Sequence, residues 1–245
     1  MFALAAPAWS RYGTGMTKTS FDLVGFDLDG TLIDSSTDLG VAINHALGVV
    51  GLPPHDLADI KRFIGKGTRI FVERALRADN AYSEEMVAKL LPLFQDYYLE
   101  HVCDHSAPYP GALDAMAELK ARGVRLALCT NKSERFTHPL LRQLDLEHWF
   151  DAVICGDTLG PGTLKPNPAP IHAMVERAGG GASVFLGDTS NDIDAAKAAG
   201  IATIAVRFGF VDEADLLGAD ATLAHFDDLV PLLDHWSEHL SAKIR

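Results

Sequence analysis

Cysteine is scarce in this sequence, with Cys103, Cys129 and Cys155 the only three in 245 residues. An odd, widely spaced set excludes a disulfide framework and fits reduced thiols, so the expected compartment is the cytoplasm. Positive charge is also short: 21 Lys and Arg stand against 33 Asp and Glu, a net charge of −12. That field repels polyanions, which argues against nucleic acid and against an acidic membrane surface as partners. No apolar run approaches the roughly 20 residues that a membrane helix needs. No internal repeat is present, and Phe2 to Trp9 lacks the basic segment that a secretory signal carries ahead of its apolar stretch.

What remains is a composition of 48% apolar and 22% charged residues, in the soluble globular range and long enough for one large domain or one domain with an insertion. Residues 1–20 are rich in Ala, Gly, Ser and Thr, lack periodicity and contain a second methionine, Met16; they are expected to form a disordered tail, with Met16 an alternative start. Short apolar runs ending in polar residues recur at Leu23 to Asp27, Val124 to Thr130, Ala152 to Gly156, Ser183 to Asp188 and Ala202 to Arg207, the pattern of buried strands. Helical periodicity lies between most of them, for example Leu113, Met116, Ala117 and Lys120, closed by Gly123. Strand alternating with helix predicts an α/β fold with a doubly wound, Rossmann-like parallel sheet.

From about Ser36 to His105 the rhythm breaks. Leu39, Ile43, Ala46, Leu47 and Val50 form one helical stripe, and Val87, Leu90, Leu91, Phe94 and Tyr98 another, behind Ser83 as N-cap and with Pro92 inside as an expected kink. The predicted organisation is an α/β core over 21–35 and 106–245, interrupted by an all-helical domain over 36–105.

Chemistry concentrates where strands end. Asp27-Leu28-Asp29-Gly30-Thr31 places two carboxylates two residues apart at the sheet's carboxyl edge, where open α/β sheets bind ligands; Asp-Gly alone is also ordinary turn chemistry. Thr130-Asn131-Lys132 offers a hydroxyl, an amide and backbone N–H groups suited to phosphoryl oxygens. Lys165 lies between a flexible Gly160-Pro161-Gly162-Thr163 link and Pro166-Asn167-Pro168, whose two prolines stiffen the backbone around its ammonium. Gly187-Asp188-Thr189-Ser190-Asn191-Asp192 brings Asp188 to the same edge, with Asp192 one helical turn on, although acids at a helix start are favoured as caps in any case. Asp157, in a second Gly-Asp-Thr that leads to no helix, reads as a decoy.

The ordered set DxDGT, TN, KP and GDxxxD resembles the haloacid dehalogenase superfamily, specifically its capped phosphatases, from about residue 21 onward. The resemblance implies a phosphoric monoester hydrolase in which Asp27 is the nucleophile and Asp29 the general acid and base. Thr130, Asn131 and Lys165 would hold the phosphoryl group. Mg2+ would be bound by the Asp27 carboxylate, the Asp29 backbone carbonyl and Asp188, and Asp192 would orient Lys165 or a metal-bound water. The helical insertion then corresponds to the family's cap.

Within that superfamily the stretches around Ile64-Gly65-Lys66-Gly67-Thr68, Tyr109-Pro110-Gly111 and Leu128 to Lys132 look most like the phosphoglycolate phosphatases, which implies 2-phosphoglycolate as substrate. Lys61 to Arg77 carries six basic residues against the single acid Glu73, so Lys66 or Arg69 is expected to grip the substrate's second anionic group. A monomer or homodimer acting on a small phosphate ester is the resulting picture. Its rivals are a phosphatase or phosphomutase for a sugar phosphate and, from a different class, a phospho-accepting signalling module. His101 with His105, and His235 with His239, have helical metal-ligand spacing but no third ligand nearby, and are expected to be exposed helix-face residues.

Overall fold

The computed structural model describes residues 19–210 and 218–236; most of the expected tail, Met16 and His239 lie outside them. The core is a six-stranded, all-parallel sheet of β1 (Leu23–Phe26), β4 (Arg125–Cys129), β5 (Ala152–Ile154), β6 (Ser183–Gly187), β7 (Ala202–Val206) and β8 (Ala221–Leu223), in the order β5-β4-β1-β6-β7-β8. Each anticipated strand forms, ending one or two residues sooner than its apolar run. The three-residue β8 is an addition that the sequence pattern did not signal.

Both faces of the sheet are covered, which is why its strands read as unbroken apolar runs. Side chains alternate along β1: Val24 and Phe26 join one cluster, Leu23 the other. Gly25 faces Met174 of α7 (Ala169–Arg177), and a Cβ there would sit 2.6 Å from the Met174 methyl, so the glycine lets that helix seat against the central strand. Consecutive connections run from β1 toward β5 on one side and from β6 toward β8 on the other. The strand order therefore reverses beside β1, and a crevice opens at the carboxyl ends of β1, β4 and β6.

Helix phase corrects one reading. In α5 (Ala112–Ala121) the buried side is Ala112, Ala115, Met116 and Leu119, whereas Leu113 is 43% exposed and Ala117 is exposed. Gly123 closes the helix with φ of 79°, and Val124 N–H donates to the Leu119 carbonyl, the Schellman arrangement.

The chain leaves and re-enters the core through a small two-stranded antiparallel ribbon of β2 (Ile33–Asp34) and β3 (Ala107–Pro108). Between these strands lie α1 (Ser36–Val49), α2 (Leu57–Phe63), α3 (Thr68–Ala78) and α4 (Glu84–Glu100). Ser83 caps α4 by accepting from Met86 N–H, and α4 continues through Pro92, which is exposed along with Ala88 one turn before it. The lost backbone bond thus falls on the wet side of the helix. Tyr98 and Phe136 meet at 5.2 Å, joining α4 to α6 (Glu134–Gln143) in one continuous apolar cluster.

Buried Asp38 ties the two crossings together. Its carboxylate accepts from the backbone N–H groups of His105 and Ser106 and from the Ser106 hydroxyl, the last at 2.6 Å. Removing it orphans three donors, so Asp38→Ala should lower unfolding stability by about 2–3 kcal/mol, measured by urea denaturation. A loss below about 0.5 kcal/mol, the range of ordinary surface changes, would contradict this role.

Candidate active site

The crevice gathers the residues that the sequence distributes over 166 positions, from Asp27 to Asp192. Asp27 leaves β1, Thr130 and Asn131 leave β4, Asp188 leaves β6, and Asp192 sits in the first turn of α8 (Ser190–Ala198). Asp27, Asp188 and Asp192 are buried and each offers a carboxylate oxygen within 4.8 Å of the others. The turn permits this approach: Gly30 has φ of 87°, and a Cβ on it would lie 2.3 Å from Asp188 Oδ2.

Lys165 is the counter-charge. Its Nζ donates to Asp27 Oδ1 at 2.7 Å, to Asp192 Oδ1 at 2.6 Å and to the Cys129 carbonyl at 2.6 Å, using all three of its N–H bonds. The long glycine-proline link does not loosen it, because the Asn131 side chain grips its backbone from both sides. Asn131 Oδ1 accepts from Lys165 N–H at 2.8 Å, and Nδ2 donates to the Lys165 carbonyl at 3.0 Å. The Asn131 amide is thereby engaged with protein, although Asn131, like its neighbour Thr130, also lines the cavity. Asp192 is likewise held from behind: its Oδ2 accepts from Thr189 N–H and the Thr189 hydroxyl in a capping box.

Three buried carboxylates against one ammonium leave an excess of negative charge in a site of low dielectric. Burial, reinforced by Asp192 and Asp29 and opposed by Lys165, pushes the Asp27 carboxyl from 3.8 up to about 7. Burial, with Asp192 and Asp27, drives Asp188 well above the usual carboxylate range. Asp188 Oδ2 accepts from Phe210 N–H at 2.8 Å, but Oδ1 is buried without any hydrogen-bond partner. An orphaned carboxylate oxygen beside two more acids is the donor set of a hard divalent cation, so the residues fit such an ion.

Comparison with known proteins agrees with this geometry. The model of the haloacid dehalogenase-like hydrolase family matches residues 24–206, which span the β1 acids, the helical insertion, Lys165 and the Asp188 loop. The chain belongs to this hydrolase family. A protein named phosphoglycolate phosphatase from Mesorhizobium japonicum is 39% identical over 211 residues, covering 84% of this chain and 92% of that one. One of the same name from Yersinia pestis is 39% identical over 215 residues, covering 86% and 92%. A crystal structure described as a predicted phosphoglycolate phosphatase from Haemophilus somnus superposes with a TM-score of 0.81 at 32% identity, covering 89% of this chain and 99% of that one.

One further charged side chain lines the cavity, Lys132, whose ammonium the sequence pattern does not single out. Lys132 is buried, and its Nζ lies 3.0 Å from both oxygens of Asp29 and 4.8 Å from the centre of the Tyr98 ring. Asp29 also accepts from the Ser35 hydroxyl at 2.5 Å. A lysine directly after the Thr130-Asn131 pair at the end of β4 is the available signal.

The basic stretch of the insertion, by contrast, is largely occupied with its own fold. Arg69 is exposed and pairs with Glu73 at 2.9 Å and Glu84 at 2.5 Å. Arg74 donates to the carbonyls of Arg62, Phe63 and Ile64 at the end of α2, and Arg77 stacks on Tyr82. Lys66 is exposed, and neither it nor Arg69 lines the cavity. The Gly65 loop does meet the core, through its carbonyl, which accepts from the Asn131 and Asn191 amides.

Asp157 caps α6 by accepting from Glu134 N–H, which accounts for the second Gly-Asp-Thr. His101 pairs with Asp104 at 2.7 Å; among the described residues the only three-ligand cluster is that of Asp27, Asp188 and Asp192. All three cysteines are free. No helix among the described residues is long and apolar enough to cross a membrane.

Proposed function

We propose that this chain is a magnesium-dependent phosphatase that hydrolyses 2-phosphoglycolate to glycolate and phosphate through a phosphorylated Asp27. The carrying observation is the buried cluster in which Lys165 bridges Asp27 and Asp192 while Asp188 Oδ1 has no partner. Three acids beside one amine cannot receive a phosphate dianion unaided.

In this reading Asp27 attacks phosphorus, held in place by Lys165. Asp29, two residues on and outside the trio, donates a proton to the departing alcohol oxygen and then removes one from the attacking water. Thr130 offers its hydroxyl to the phosphoryl oxygens, and Lys165 neutralises their charge. Asn131 contributes mainly by fixing the Lys165 backbone, and Asp192 by fixing its ammonium. The Asp27 carboxylate, the Asp29 backbone carbonyl and Asp188 would hold Mg2+. When bound there the ion supplies the positive charge that a loose phosphoryl-transfer transition state requires.

Size favours a small ester over a sugar phosphate. The cavity beneath the helical insertion is about 50 Å³, where about 10–15 Å³ on that scale holds one water. The relatives' names point to the same substrate. A panel of small phosphate esters compared by kcat/KM with magnesium tests it: 2-phosphoglycolate should lead glucose 6-phosphate by about 100-fold or more, a difference of roughly 3 kcal/mol. Equal values would remove the substrate assignment while leaving the phosphatase intact.

A further inference from the structure

Two ammonium groups face the cavity, those of Lys132 and Lys165. Lys165 is saturated by three acceptors. Lys132 is not: its side chain is only 5% exposed, its ammonium is held by the Asp29 carboxylate and rests against Tyr98, and it carries three donors. Beside it, the buried Tyr98 hydroxyl makes no well-formed hydrogen bond and interacts electrostatically with the Lys132 ammonium. The surrounding wall of Phe71, Phe94 and Phe136 is apolar, so a cation and a hydroxyl stand with unused hydrogen-bonding capacity in a place that water screens poorly.

Building on the phosphatase reading above, we propose that Lys132 and the Tyr98 hydroxyl form the subsite for a carboxylate carried by the substrate's alcohol portion, and so set the preference for phosphorylated hydroxy acids. Reach supports the assignment. Asp29 must come within hydrogen-bond distance of the leaving oxygen, and Lys132 Nζ is 3.0 Å from Asp29. A carboxylate joined to that oxygen through a single carbon falls beside the ammonium. Asp29 keeps the Ser35 hydroxyl as a partner when Lys132 turns to the ligand. Lys66 and Arg69, on the outer surface, then play no part in recognising the anion.

The test compares kcat/KM for 2-phosphoglycolate and for ethyl phosphate, which has the same chain length without the carboxylate, in magnesium. In Lys132→Met the ratio of the two should fall about 100-fold, chiefly through KM for phosphoglycolate, as expected for losing a buried charge pair. Lys132→Arg should retain more of the ratio than Lys132→Met. Tyr98→Phe, which deletes the hydroxyl and keeps the ring against the Lys132 ammonium, should lower the ratio about 5- to 10-fold and keeps the test decisive if the Lys132 variants fold poorly. An unchanged ratio with both rates reduced together would overturn the subsite and leave Lys132 as a positioning residue for Asp29. Wild-type enzyme that cleaves both esters equally well would also overturn it, whereas failure to cleave either ester would sink the phosphatase reading instead.

Discussion

Asp27→Asn should lose turnover by about 10⁴-fold or more, the scale on which removal of a covalent nucleophile is felt. Asparagine matches the carboxylate in size and still accepts a hydrogen bond from Lys165 through its oxygen, so the fold has no reason to change. It cannot form an acyl phosphate. Steady-state kinetics on 2-phosphoglycolate, with thermal unfolding measured alongside, separates the two effects. A variant that folds normally and retains more than about a tenth of wild-type kcat, under 1.4 kcal/mol of barrier, would show that Asp27 is not the attacking group.

Asp188→Asn should move activity and stability in opposite directions. Loss of one charge from the proposed metal ligands should cut kcat/KM by at least about 100-fold, because a cation held there would supply several kcal/mol of charge stabilisation. The metal-free protein should nevertheless become harder to unfold, since burial holds the Asp188 carboxyl well above the usual carboxylate range, and asparagine does not carry the cost of taking up that proton on folding. The pH dependence follows from Asp27. Its carboxyl sits at about 7 in the folded chain against 3.8 for the free group, so its contribution to stability is fully present below 3.8 and is lost as pH rises through about 7. Metal-free wild type should therefore melt lower at pH 8 than at pH 5.5, and magnesium should raise the midpoint more at pH 8, where the carboxylates are ionised. In Asp188→Asn the rise on adding magnesium should be small. An equal rise in variant and wild type would place the cation elsewhere.

The core of this fold was legible because parallel strands buried on both faces cannot hide: Leu23 to Phe26 and Ser183 to Gly187 admit no charged residue. β8 was not, since Ala221–Leu223 is too short for a period and is defined by its pairing with β7. The phase of α5 misled because Leu113 is apolar yet faces solvent, and a single exposed leucine costs little. At the site, the four motif segments could be ordered in sequence, but how they meet depended on contacts that no spacing encodes. The Asn131 side chain, expected to hold the phosphoryl group, lines the cavity and also clamps the Lys165 backbone, which its place in the motif did not signal. Charge count alone drew attention to Lys66 and Arg69, and gave no sign that Glu84, fifteen residues beyond Arg69, would take up that guanidinium. Lys132 was hidden by the opposite effect, being one lysine within a motif noted for its backbone.

In the proposed mechanism, phosphate passes through Asp27. This step is tested most directly by mixing enzyme, magnesium and 2-phosphoglycolate carrying a radiolabelled phosphoryl group, quenching in acid during turnover and mapping the labelled peptide. A hydroxylamine-sensitive label should appear on the segment containing Asp27 and be absent from Asp27→Asn. Turnover without any trapped label at a quench fast enough to catch the first cycle, or a label on another residue, would contradict it.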